Sequence, residues 1–347
     1  MSYYIHADKF FLDNTTENGG YLEITDDGKF GTYTSVKPTG KIVDYSGRYV
    51  SPGLVDTHIH GLLGHDVMDN DWDKIQEMSE GLLQAGVTSW LPTTLTASAD
   101  QLDAVCQTIG ANYRKATGAK IQGIYFEGPF FTVEHKSAQN PKYFGDPSVE
   151  TFERWQKSAK GLIKKIAIAP ERDGVVEFTK AVSRMGVSVA LGHSDATFEQ
   201  ARDAVETGAT VFTHTFNGMS GLNHRKPGMV GAAMSMHNVI DELICDGHHV
   251  LGEFPVYVAD GMARLKDGGS LAGSILQLKE AVKNVVDWNI STPEQAVQMA
   301  SKTAAVSSHI GDQCGSILPG RDADFLIWDH DMDLEETYLD GKSRYQA

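Results

Sequence analysis

The sequence predicts an α/β protein: a (β/α)8 TIM barrel inserted in a small β-sandwich domain formed by the two chain ends. Three observations point there. From Leu54 onward, short apolar runs alternate with helix-length amphipathic ones. The turn after the first run reads HIHG, where an open doubly wound sheet would carry a glycine-rich phosphate turn. Both chain ends are strand-rich, with alternating apolar positions and DDG and SG turn signals. The expected domains are 1–50 with 315–347 for the β part, and 51–314 for the barrel.

The elements follow in order. YYIHADKFF, GGYLEITDDGKFGTY and GKIVDYSGRYVSPG read as strands of the first β piece. Barrel strands are expected at 54–60, 87–92, 121–127, 165–169, 187–192, 210–215 and 241–246, with helices near 71–85, 98–116, 148–160, 175–185 and 197–207. Further helices are expected near 274–287 and 293–307, before a closing strand-rich piece, GSILPGRDADFLIWDHDMDLEETYLDGKSRY. A barrel of this kind needs an eighth strand. After His249 the chain passes at once to LGEFPVYVADGMARLKDGGSLAGS, so the seventh helix and eighth strand read as missing, a gap of roughly 30 residues between Val250 and Leu251.

Composition bounds the function. The 347 residues are 41% apolar and 22% charged, ordinary for a globular chain that can bury a large core. Lys and Arg number 30 against 46 Asp and Glu, a formal charge of −16 that opposes binding to nucleic acid or an anionic membrane. An anionic substrate must therefore meet local cations. Cys106, Cys245 and Cys314 are few, odd in number and far apart, which argues against a disulfide framework and for a cytoplasmic location. The start lacks a signal-peptide pattern, and no apolar run is long enough to span a bilayer.

The chemistry lies at the expected strand ends, where barrel active sites form. In Asp56-Thr57-His58-Ile59-His60-Gly61, residues two apart share a strand face, so His58 and His60 can aim at one metal ion. Alone, such a pair reads equally well as two surface histidines. However, IYFEGPF ends a strand with Glu127, VALGHSDAT with His193, VFTHTFNGM with His214, and LICDGHHV with Asp246, His248 and His249. Imidazoles and a carboxylate recurring around one ring point to a divalent metal centre of Glu127, His193 and His214. Such donors suit Zn, Fe or Mn.

The set PGLVDTHIHG, GIYFEGPF, LGHSDAT, FTHTFNGM, CDGHH, GSLAGS and GSILPGRDADFLIW closely resembles N-acetylglucosamine-6-phosphate deacetylases of the amidohydrolase superfamily, over nearly the whole chain. The resemblance implies a homodimeric enzyme with one or two metal ions per subunit, removing acetate from a phosphorylated N-acetylated amino sugar. By the same resemblance Glu127, His193 and His214 match the metal ligands, and His58 and His60 match positions that hold a second ion in some members. Ala138, Gln139, Asn217, Gly218, Arg225, Asp246, Gly247, His248, His249, Leu271, Ala272 and Gly273 match sugar-phosphate contacts. An N-acetylgalactosamine-6-phosphate deacetylase, another amidohydrolase, or a non-catalytic sugar-phosphate binder stand as alternatives.

Two departures from the family pattern stand out. Gln139 occupies a position where many members carry a histidine thought to help polarise the substrate carbonyl. The family's eighth strand ends in a T-D-A-like motif whose Asp acts as general acid and base, and this is implied for the segment missing after Val250. Asp260 in VADGMARL belongs to a hairpin-like stretch and does not match it.

Overall fold

A computed structural model describes residues 2–250 and 273–347. Five strands from the N-terminal end (Tyr3–Phe11, Thr16–Asn18, Tyr21–Ile24, Phe30–Thr34 and Lys41–Pro52) and three from the C-terminal end (Phe325–Trp328, Leu334–Leu339 and Lys342–Gln346) form one eight-stranded sheet. Its centre is Lys41–Pro52, parallel to the first strand (Ile5 opposite Val43) and antiparallel to Phe325–Trp328 (Ile327 opposite Val50). Ile5, Ala7 and Phe10 from one end of the chain and Phe325 and Ile327 from the other share one apolar cluster, so burial of one face joins the two termini.

The second sheet is the barrel. We number its strands β1 (Leu54–Ile59), β2 (Val87–Thr94), β3 (Ile124–Phe130), β4 (Ile163–Ile168), β5 (Ser188–Leu191), β6 (Ala209–Phe212) and β7 (Ile240–Asp241). Each is parallel to the next in chain order. Every residue of β2 and β3 is buried, as expected for strands covered on both faces.

Helices α1 (Trp72–Leu82), α2 (Ala99–Asn112), α3 (Val149–Ser158), α4 (Val175–Arg184) and α5 (Phe198–Thr207) fill the crossovers. Most begin where a side chain accepts an orphan N–H: Asp71, Ser98, Ser148 and Thr197 cap α1, α2, α3 and α5, and Gln101 and Gln200 complete capping boxes. After the undescribed stretch come α7 (Leu278–Asp287) and α8 (Pro293–Gln298), the latter continued through a π turn to Ser307.

Two local expectations change. A helix α6 (Gly228–Ser235, GMVGAAMS) lies between β6 and β7 and is not foreseen by periodicity, because six of its residues are buried and it shows no polar face. The strand expected at 241–246 is only Ile240–Asp241. Beyond it the Asp246 carboxylate takes the N–H groups of His248 (2.9 Å) and His249 (2.8 Å) in a bend.

Among the described residues no strand pairs β7 with β1. That flank is bridged by polar groups: Thr57 Oγ1 lies 3.4 Å from Glu242 Oε1, and the fully buried Lys165 bonds both. Lys165 Nζ also sits 4.2 Å from the centre of the Tyr125 ring. The expected break after Val250, together with Asp260, Leu271 and Ala272, falls outside the described residues.

Candidate metal centre

Four imidazoles converge on one buried carboxylate at the C-terminal ends of the strands. His58 and His60 reach it from β1 and just beyond, on one face by strand alternation. Glu127 lies within β3, where the pairing to β4 skips a register before Phe130. The next residue, Gly128, has φ +92°, and a Cβ there would meet Thr96 Oγ1 at 2.2 Å, so the EGP turn requires glycine. His193 and His214 sit two residues past β5 and β6, with φ of +49° and +35°. This left-handed backbone is uncommon for a non-glycine residue.

The distances define the centre. Glu127 Oε1 lies 3.2 Å from His193 Nε2, 3.3 Å from His214 Nε2 and 3.2 Å from His58 Nε2, while Oε2 lies 3.1 Å from His60 Nε2. Two groups of donors can hold an ion, Glu127 with His193 and His214, and Glu127 with His58 and His60. Burial pushes the Glu127 carboxyl upward, but the surrounding imidazoles outweigh it and hold it well below the usual carboxylate range. Burial lowers His58, whereas for His60 the hydrogen bond and charge of Glu127 outweigh burial and raise it.

The rings are held from behind. His193 Nδ1 donates to the carbonyl of His135 (2.8 Å), His214 Nδ1 to that of Asn217 (2.9 Å) and His60 Nδ1 to that of Thr93 (3.2 Å). A neutral ring with its hydrogen on Nδ1 presents a lone pair at Nε2. The Nε2 atoms of His193 and His214 are 3.1 Å apart. Two lone pairs and a carboxylate oxygen at this spacing repel unless a cation lies among them, and a divalent ion suits nitrogen donors with one carboxylate. The residues therefore fit a resident metal.

The other sequence-indicated residues form two groups. Near the ligands, Gln139 is buried, donates from Nε2 to Glu127 Oε2 (2.5 Å) and accepts the Thr96 N–H at Oε1 (2.8 Å). Ala138 beside it is exposed. Asn217 lends its carbonyl to His214, and its buried side-chain nitrogen has no partner among the described residues. Gly218 has φ +61°, and a Cβ there would come within 3.4 Å of His193 Nδ1. The second group is the Asp246–His249 bend, with Gly247 at φ +74° and His249 Nδ1 2.7 Å from Asp246 Oδ2. Ser274, next to Gly273, donates to Asp246 Oδ2 at 2.7 Å, so the CDGHH and GSLAGS motifs meet. Arg225 is exposed in the loop after β6, where its backbone N–H donates to Asn223 Oδ1.

Sequence reading missed the supporting residues. The carbonyls of Thr93 and His135 carry no side-chain signal. Glu171, three residues beyond β4, bonds Thr132, Ser194 and Asp195. Its place at a strand end was the available clue.

The chain matches the amidohydrolase family over residues 49–253 and 256–344. It is 35% identical over 331 residues to the N-acetylglucosamine-6-phosphate deacetylase of Vibrio furnissii, covering 85% of this chain and 83% of that protein. It is 31% identical to the N-acetylgalactosamine-6-phosphate deacetylase of Escherichia coli O157:H7, over 377 positions and 99% of each chain. In three dimensions it is similar to an N-acetyl-D-glucosamine-6-phosphate deacetylase from Mycobacterium smegmatis, with TM-score 0.92, 24% identity, and coverage of 99% of this chain and 100% of the other. That likeness extends over the barrel and the two-ended β sheet alike. With a matched profile over most of its length and four imidazoles gathered on one buried glutamate, the chain belongs to the amidohydrolase family.

Proposed function

We propose that the protein hydrolyses the acetamide of N-acetyl-D-glucosamine 6-phosphate to D-glucosamine 6-phosphate and acetate. The observation that carries this is the Glu127, His193 and His214 donor set in a chain that aligns with such a deacetylase over 85% of its length. Glu127, His193 and His214 would hold one divalent ion, and Glu127 with His58 and His60 a second. When bound, such an ion lowers the pKa of a coordinated water toward neutrality and polarises the amide carbonyl.

The chain's own residues supply the rest. The carbonyls of His135, Asn217 and Thr93 keep three imidazoles in the ligating tautomer. Gln139 keeps one Nε2 hydrogen beyond its bond to Glu127, a donor for the acetamide oxygen. The unpartnered Asn217 amide nitrogen is a donor for a sugar hydroxyl or phosphate, and the Arg225 fork suits phosphate. His249, steadied by Asp246, is a further donor for the sugar phosphate. Among the described residues, the only carboxylate touching the four imidazoles is Glu127, which is engaged as a ligand. The proton for the leaving amine is therefore assigned to a group outside the described residues.

The same reading includes a homodimer, a cytoplasmic location, and Zn, Fe or Mn as the metal. A galacto-configured substrate is the second reading, because the Escherichia coli relative aligns with 99% of both chains. Acetate release from the two 6-phosphates, measured on chelated and on metal-reloaded protein, tests both. Turnover of the gluco substrate only after reloading supports the proposal. A preference for the galacto substrate selects the second reading, and metal-independent or absent turnover of both overturns the activity.

A further inference from the structure

We propose that Glu171 is the positioning residue for the metal ligand His193, acting by joining three of the loops that follow the strands. This rests on the metal-centre reading above. Glu171 follows β4 and touches no imidazole. Its Oε1 accepts the Thr132 hydroxyl (2.8 Å) and the Asp195 N–H (2.7 Å), and its Oε2 accepts the Ser194 hydroxyl (2.6 Å). Thr132 lies in the loop after β3, and Ser194 and Asp195 directly follow His193 after β5.

These bonds bear on the one stretch of backbone that most needs holding. His193 sits at φ +49°, a conformation that persists in a non-glycine residue when its surroundings impose it. Glu171 grips the two residues after it. Thr132, whose hydroxyl is held by the same carboxylate, donates its N–H to the His193 carbonyl (3.4 Å). The loop that begins at Thr132 also carries His135, whose carbonyl fixes His193 Nδ1, and Gln139, which bonds Glu127. One carboxylate thus ties the ligand's backbone to the loop that orients its ring.

Geometry, and not charge, is the requirement. A glutamine with its carbonyl oxygen in place of Oε1 keeps the bonds from Thr132 and Asp195 and turns its amide toward Ser194 Oγ, whereas alanine removes all three. The test is titration of apo-protein with Co²⁺, following the visible ligand-field absorption, together with thermal melting of the apo form. Glu171→Ala is expected to weaken Co²⁺ binding by about ten- to a hundredfold and to alter the band, the scale seen when a ligand's supporting group is removed. Glu171→Gln is expected to stay within about threefold of the parent.

If Glu171→Ala lowers the apo melting temperature but leaves affinity and spectrum unchanged, the residue is scaffold only and the proposal is overturned. If Glu171→Gln is as damaging as alanine, charge is what counts and the proposal is overturned. Should Glu171→Ala fail to fold, Ser194→Ala removes a single bond: a smaller loss of Co²⁺ affinity supports the proposal and none overturns it. These readouts need no turnover, so failure of the deacetylase reading shows separately, as a parent protein that binds Co²⁺ yet releases no acetate.

Discussion

His193 and His214 face each other at right angles, with ring centres 4.8 Å apart and Nε2 atoms 3.1 Å apart, while each commits its Nδ1 hydrogen to a backbone carbonyl. Neither ring can turn away without giving up that bond. The pair is consequently a preformed half of the candidate metal site that Glu127 would complete.

Replacement of Glu127, His193 or His214 by Ala is expected to remove most metal content and activity, since a catalytic site of three protein ligands has none to spare. His58→Ala is expected to be milder if one ion suffices. Metal analysis beside acetate release checks this; full occupancy with parental turnover in Glu127→Ala would refute the assignment.

Arg225 is expected to recognise phosphate. A guanidinium–phosphate contact is worth about 1.5–3 kcal/mol, so Arg225→Ala should weaken apparent affinity for the 6-phosphate by roughly ten- to a hundredfold, with partial recovery in Arg225→Lys. Comparison of substrates with and without the phosphate decides. Equal losses on both would assign Arg225 to the fold instead.

Asp246 gives a pH dependence. Burial would raise its carboxyl, but the backbone N–H groups of His249 and His248 and the Ser274 hydroxyl hold it down to about 2. A depressed folded pKa contributes stability above the unfolded value of about 3.9, which is lost as pH falls through the folded one. Hydrogen exchange at the amides of His248 and His249 should therefore stay slow down to about pH 4 and quicken progressively toward pH 2. Asp246→Asn should show fast exchange at neutral pH, and protection equal to the parent would remove the anchor from the account.

The general acid is expected in a strand-eight segment after Val250, outside the described residues. The Escherichia coli relative aligns over 377 positions against 347 residues here, so it carries stretches with no counterpart in this chain. Inserting a relative's strand-eight segment between Val250 and Leu251 is expected to raise kcat by about a hundredfold or more, the usual contribution of a placed general acid. An insertion carrying the same segment with its Asp changed to Asn should give little gain. If both insertions act alike, the gain comes from barrel closure and not from proton delivery.

Periodicity was enough for most of the fold. The strands expected at 54–60 and 87–92 appear as β1 and β2, and the helices expected near 98–116 and 197–207 appear as α2 and α5, because these depend on neighbours a few residues away. The helix Gly228–Ser235 escaped because a segment buried nearly all round carries no amphipathic period. The candidate ligands were legible for a related reason: His193 and His214 fall just past strand ends, and Glu127, expected to end its strand, lies three residues before the end of β3, still toward the shared mouth of the barrel. Tertiary structure alone decided which carbonyl orients each ring, that Gln139 spends its amide on Glu127 and Thr96, and that Glu171 spans three loops. Those contacts join residues up to 58 apart in sequence, several of them through backbone groups every residue possesses, so no residue type announces them. They exist only once the strands have been brought side by side.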